Sequence, residues 1–474
     1  MPPARYARAR ARRRLYWAIA GVACAAIVAI VLALSLGGGG LAGAPAARDA
    51  PETGAQGLFH YDPAHAAQYI ARATAGNAQV LFAKSPDGAI ATARRVAALR
   101  PLIDRAVAGT DVPANTLEGL VFLESAGIVD AAVGGDAANA AGLTQILPST
   151  ATSLLHMHVD VTAAKRLLAQ IPRSRTPAQQ RRLQRRLEAA DERFDPVQAL
   201  RGAVRLLVSF EGMLGGRLDL AVTAYHMGIG NMQDVLADYD GGRAVPYVQL
   251  YFDTAPDHHA SAYRLLSTLG DDSSLYWWRV LGAEQIMHLY RTDRGALDRL
   301  QSLETADDAG GSVLHPPGRS PRYASATALQ RAYTSHALQP LPRNAAALGL
   351  AYDASIGAES GAAPRSLYVG LSPSAVRLLI RMAAAVRTLS GGVAPLHVAA
   401  AVADGKYLSS HGESDPLAQT GFSFRIARRY RSDAQAAAFQ AVLDRLQSLN
   451  LIAWARLGSV IQITAASDAG SWQG

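Results

Sequence analysis

The stretch from Thr116 to Leu155 constrains this chain more than any other. It opens on an apolar run in which Leu117, Leu120, Val121 and Glu124 fall at i, i+3, i+4 and i+7, the spacing of one helix face. A carboxylate therefore lands on the stripe that should face a core. Burial lifts a carboxyl pKa because the charged form loses its hydration, and a general acid working near neutral pH needs that lift. The bland competitor is a glutamate at a frayed helix end, turned to water. Asn115 and Glu118 have the spacing of a capping box and predict the helix start. A loop of small residues follows Glu124-Ser125 and leads into Gly142-Leu143-Thr144-Gln145-Ile146.

A second segment, Ala224-Tyr225-His226-Met227-Gly228-Ile229-Gly230-Asn231, lies further along the chain. Tyr225 completes a stripe with Leu218, Ala221 and Val222, so its ring should point inward, where its hydroxyl could reach Glu124. An ordinary buried tyrosine has the same spacing. The two segments are expected to form one site.

At 474 residues the chain is long enough for about three domains. Its formal charge is +8, but Arg5, Arg8, Arg10, Arg12, Arg13 and Arg14 all precede the first acidic residue, Asp49. Only +2 remains without them, so the charge gives no argument for nucleic acid. Leu15 to Leu36 is an uncharged, almost wholly apolar run of 22 residues, and a membrane-spanning helix needs roughly 20. The arginines ahead of it place the N-terminus in the cytoplasm and everything after residue 36 on the periplasmic or outer side. A cleaved signal peptide competes, because Ala42-Gly43-Ala44 resembles a cleavage site; the run exceeds a usual h-region, which favours a retained single-pass anchor. Either way the rest is exported. The only cysteine, Cys24, falls inside this run, so no intramolecular disulfide or thiolate metal cluster is expected.

These features divide the chain into a basic tail (1–14), a transmembrane helix (15–36), a Gly/Ala/Pro-rich linker (37–58), a helical domain (59–300), a second linker (301–345) and a small α+β domain (346–467). Gly310-Gly311, Pro316-Pro317 and Pro321 should break regular structure in the second linker. Within the helical domain, Lys165 to Arg193 reads as a solvated basic hairpin. Tyr247, Tyr251, Phe252, Tyr276, Trp277 and Trp278 read as core, with one or two lining a groove. In the last domain Val376, Leu379, Ile380, Ala383 and Val386 form one helical stripe, and Phe439, Val442, Leu443 and Leu446 another. Ile452 to Arg456 and Val460 to Thr464 read as two strands turning at Gly458. The fold class is α+β, with a mainly helical first domain.

Glu124-Ser125, then Gly142, Leu143, Gln145, Ile146, Pro148, Thr150 and Ala151, then Phe194-Asp195-Pro196, then Ala224, Tyr225, Gly228, Gly230 and Asn231 occur in an order that resembles the lytic transglycosylases with the goose-lysozyme-like fold. The resemblance covers about Asp111 to Leu236. It departs where His226 replaces the family's Asn and Thr144 its Met, and the basic hairpin is longer than usual. The resemblance implies cleavage of the MurNAc–GlcNAc β-1,4 bond of peptidoglycan, without metal or cofactor. Glu124 would act as acid and then base, leaving a 1,6-anhydromuramic end. It also implies that Ser125, Gly142, Leu143, Gln145, Tyr225, Gly228 and Asn231 contact the substrate or support the acid. A hydrolytic muramidase of the same fold and a non-catalytic peptidoglycan-binding scaffold are the alternatives.

The segment Leu417 to Ile426 bears a weaker resemblance to the His-x-x-Gly-x-Ala-x-Asp segment of zinc D-alanyl-D-alanine carboxypeptidases. Here Ala418 stands at the ligand His, Arg425 at the ligand Asp, and Gln462 at the position of another His. Neither Ala nor Arg binds zinc. A degenerate domain without metal is expected, with stem peptides as a partner. His411, Glu413 and Asp415 could replace the site, although a polar loop is the plainer expectation.

Overall fold

The computed structural model describes residues 43–50, 59–270, 272–358, 360 and 363–472. The basic tail, the expected transmembrane helix and Cys24 lie outside the described residues. No helix among the described residues is long and apolar enough to cross a membrane. The chain is mixed α+β and mostly helical. It forms two compact units, each taken separately below.

The first unit contains residues 80–247 and 265–301. Its helices are α1 (Ala89–Ala97), α2 (Arg100–Val107), α3 (Ala114–Ser125), α4 (Pro148–Ser153), α5 (Val161–Gln170), α6 (Pro177–Ala190), α7 (Pro196–Met213), α8 (Leu218–Met227), α9 (Ile229–Asp240) and α10 (Tyr276–Thr292). α3 is the central one. Thr116, Leu117, Glu118, Gly119, Leu120, Val121, Phe122 and Ser125 are all buried, so it has no solvated face. α1, α2, α7 and α10 pack around it. Gly119 lets α10 approach closely, because a Cβ there would stand 2.9 Å from the Val280 carbonyl oxygen.

The capping box expected at Asn115 and Glu118 is not formed. Pro113 is the N-cap residue, and no side chain caps the helix. Glu118 is fully buried and paired instead with Arg291 at 2.8 Å and Arg100 at 3.3 Å. A charge buried among three helices needs compensation, which a local cap could not supply.

The basic hairpin forms as expected. α5 and α6 pack on each other, with Ala164, Leu167, Leu183 and Leu187 clustered on Ala132, Ala137, Ala141 and Phe194. Arg181, Arg182, Arg185 and Arg186 point to solvent. Arg193, the last of the basic residues, differs in being completely buried.

The second unit contains residues 43–79, 248–264 and 302–472 where described. Its sheet holds β1 (Leu350–Tyr352), β2 (Leu396–Ala400), β3 (Ser423–Ala427), β4 (Ile452–Leu457) and β5 (Val460–Ala465), in the order β1-β2-β3-β5-β4. β1 and β2 are parallel, and every other pairing is antiparallel. β4 and β5 make the expected hairpin, with Leu457 opposite Val460 and Gly458 at φ +55° in the turn. α11 (Pro373–Leu389) and α12 (Asp433–Ser448) bury both stripes read from the sequence and pack on each other.

The connection expected at 301–345 is not free of regular structure. It carries helices Ala309–Leu314 and Ala326–Thr334. Gly310 and Gly311 lie within the first, as packing residues and not as breakers. A Cβ on Gly310 would stand 2.8 Å from that of Ala453, and one on Gly311 would overlap the Leu417 side chain at 2.2 Å.

Candidate active site

Glu124 sits in the last turn of α3, just before the chain reverses through Ala126 at φ +53° and Gly127 at φ +73°. It is largely buried yet keeps some exposed surface. Its Oε1 accepts a hydrogen bond from the Tyr276 hydroxyl at 2.6 Å. Burial pushes its carboxyl up to about 7, opposed in part by that hydrogen bond, which favours the charged form. Tyr276 opens α10 with its ring buried, and burial together with the nearby carboxyl raises its own pKa well above 10, so it stays a donor.

Tyr276 is the residue that the sequence reading missed as a partner. Sequence spacing groups it with the core aromatics and offers Tyr225 as the residue whose hydroxyl could reach Glu124. The Tyr225 hydroxyl instead donates to the Thr144 carbonyl at 2.7 Å. Thr144 is buried and donates onward to the Ala199 carbonyl at 3.2 Å, so Tyr225 ties the Gly142–Gln145 loop to α8. His226, the departure from the family's Asn, stacks on Tyr276 with centroids 4.8 Å apart and planes 24° apart. Its Nδ1 lies 2.8 Å from Ser273 Oγ. His226, Tyr276 and Glu124 thus form a connected chain from α8 through α10 to α3.

The other expected site residues make local contacts. Ser125 does not hold the carboxyl; its hydroxyl donates to the Val121 carbonyl and accepts from the Gly127 N–H, both at 3.2 Å. Leu143 is core, 1% exposed. Gln145, at φ +48°, turns its amide nitrogen back onto the Gly142 carbonyl at 2.7 Å and the Ala131 carbonyl at 3.3 Å. Asn231 Nδ2 donates to the Met227 carbonyl at 2.7 Å, and Gly228 at φ +89° makes the corner between α8 and α9. Gly142 at φ +79° is required by the fold: a Cβ there would stand 1.7 Å from the Arg193 carbonyl oxygen.

Arg193 holds this loop from beneath. Its guanidinium donates to the carbonyls of Ala137 at 2.6 Å, Asn139 at 2.9 Å and Ile146 at 3.1 Å, and forks onto both oxygens of buried Asp191. Asp195, two residues on, caps α7 by accepting from the N–H groups of Val197 and Gln198, with Pro196 at the first helical position. The Phe-Asp-Pro segment therefore joins the loop clamp to the next helix.

In the second unit Arg425 stands opposite Gln462 across β3 and β5. Its guanidinium donates to Asp415 at 3.1 Å and Glu413 at 3.2 Å. Those carboxylates are therefore engaged, and His411 Nδ1 lies against Ser410 Oγ and the Tyr407 carbonyl, so the three do not form an open metal site. Among the described residues the group that could hold a metal is Asp253, His258 and His259, with one ligand atom each within 4.8 Å of the others. His258 Nδ1 already lies 2.7 Å from the Asp253 carbonyl.

No curated protein and no solved structure matches the chain. The family match begins after Glu124 and Gln145 and takes in Arg193, Asp195, Tyr225, Gly228 and Asn231. Residues 163–243 match the model of the Transglycosylase SLT domain, which supports a lytic-transglycosylase-type domain acting on peptidoglycan glycan strands.

Proposed function

We propose that the protein is a peptidoglycan lytic transglycosylase that cleaves MurNAc–GlcNAc β-1,4 bonds and leaves 1,6-anhydromuramic ends, with Glu124 as its acid and base. The observation that carries this reading is the state of one carboxyl. Glu124 has its pKa raised to about 7 by burial, is oriented by Tyr276, and is partly open to solvent. Among the described residues no other carboxylate contributes to its shift. Two-carboxylate glycosidases need a second acid close by, and substrate-assisted enzymes are the exception.

In the proposed reaction the Glu124 proton passes to the glycosidic oxygen as the bond to the muramic C1 breaks. The sugar's own C6 hydroxyl then bonds to C1 and returns its proton to Glu124, so no water is consumed. Tyr276 keeps its hydrogen bond to Oε1 throughout and steadies the carboxylate between the two transfers. Tyr225, whose pKa the Glu124 charge helps to raise, stands near the acid and holds the Gly142–Gln145 loop. We place the reaction on the outer side of a membrane to which residues 15–36 anchor the chain.

Mass spectrometry of digested sacculi tests the chemistry. Anhydro ends are one water lighter than the reducing ends of a muramidase, so reducing ends alone would overturn the lytic step. Undiminished release by Glu124→Gln would overturn the role of Glu124, and sacculus binding without release by the native protein would leave only a scaffold.

A further inference from the structure

A cavity of about 910 Å³ opens in the second unit, beside the edge strand β4. Its lining carries five carboxylates, those of Glu304, Asp307, Asp308, Glu413 and Asp415, against one cation, Arg425, and no lysine or histidine. Arg425 is already shared by Glu413 and Asp415. Asp308 accepts from Ser312 Oγ. Glu304 is different. It is only 4% exposed, and its carboxyl makes no hydrogen bond or ion pair with any described residue.

A buried carboxyl without a partner costs stability unless something arrives to satisfy it. Burial alone pushes Glu304 up to about 7, so a cation beside it would both ionise it and pair with it. The carboxylates do not converge as metal ligands do. The one group of described residues with three ligand atoms within 4.8 Å of one another is Asp253, His258 and His259, elsewhere in this unit. A cation that needs only one close carboxylate and a negative surrounding fits better, and an alkylammonium is such a cation, with three donors and a compact charge.

We propose that this cavity binds a primary ammonium group, seated against the Glu304 carboxylate, with Asp307 and Asp308 supplying the surrounding negative field. The site lies in the second unit and does not rest on the reaction assigned to Glu124. A free diamine and a lysine-like peptide side chain share this chemistry, and the experiment separates them.

Isothermal titration of the full chain with N-acetyl-lysine methylamide, N-acetyl-norleucine methylamide and cadaverine is the test. At least one amine should bind, and norleucine, which lacks only the ammonium, should bind about tenfold more weakly or not at all. Glu304→Gln, which keeps the shape and removes the charge, should weaken the amine about tenfold and leave norleucine unchanged. The tighter of the two amines assigns the source as peptide or free diamine. Equal binding of lysine and norleucine, no binding of either amine, or undiminished amine binding by Glu304→Gln overturns the proposal.

Discussion

The Tyr276 hydroxyl donates to Oε1 of Glu124 at 2.6 Å across 152 positions of sequence. This bond favours the carboxylate, so it holds the pKa of Glu124 below the value burial alone would set. If Glu124 is the acid proposed above, activity on glycan strands should fall as pH rises through about 7, where Glu124 loses its proton. Tyr276→Phe should move that alkaline limb to higher pH and lower the plateau about 10- to 100-fold, as expected for losing a hydrogen bond to a charged group. A pH–rate profile on purified sacculi measures both. An unmoved limb would mean that Tyr276 packs beside the acid without tuning it.

Stability should carry the same signature. In the unfolded chain Glu124 titrates near 4.5, and in the folded protein near 7. The folded state therefore holds the proton more tightly, and its contribution is most favourable below 4.5. That contribution is lost as pH rises from about 4.5 to 7 and is flat above. A shift of this size corresponds to about 3 kcal/mol. Glu124→Gln should remove this slope and make the first unit more stable than wild type at pH 8, with little difference at pH 4. Denaturation of both proteins across that range checks it, and comparing the pair cancels the parallel contribution of Glu304, which is also raised to about 7.

A largely buried carboxyl at position 124 was readable from sequence because helical spacing put it on the core-facing stripe. Its partner was not. Tyr225, half-buried, and Tyr276, buried, both lie on helices, and periodicity reports which way a ring points, not which acceptor its hydroxyl finds. Glu118 matched a capping box, but Arg100 and Arg291 arrive from other helices and override the local pairing. In the second unit both helical stripes and the β4–β5 hairpin were readable because they rest on local periodicity and a turn. The helix over 309–314 was not, because its two glycines signal a break unless the close approach of Ala453 and Leu417 is known.

Arg193 should be among the most sensitive residues of the first unit. It is fully buried, and its fork joins Asp191 to three loop carbonyls. Arg193→Ala removes the guanidinium from buried Asp191 and leaves it only the backbone N–H of residue 193, a loss of about 3–5 kcal/mol. Arg193→Lys should recover little, since a single ammonium cannot reproduce the planar fork. Chemical denaturation gives the stability, and amide hydrogen exchange should show residues 131–146 losing protection first. Retained protection there in Arg193→Ala would argue that the loop is held by its own hydrogen bonds.

Two glycines in the same loop separate backbone strain from collision. Gly135 has φ +71° and open space around its missing Cβ, so Gly135→Ala should cost only the left-handed strain of an L residue, about 1–2 kcal/mol. Gly142 has a similar φ of +79°, but its Cβ would stand 1.7 Å from the Arg193 carbonyl oxygen, and that oxygen belongs to backbone that Asp191 and the loop carbonyls hold in place. Gly142→Ala must therefore displace the clamp as well as strain the turn. It should cost several-fold more than Gly135→Ala, about 4 kcal/mol or above, and reduce glycan cleavage because Thr144, which anchors Tyr225, shares the displaced loop. Thermal melts of the two variants side by side decide the matter: equal shifts would show that the loop yields to the added methyl and that only the sign of φ is at stake.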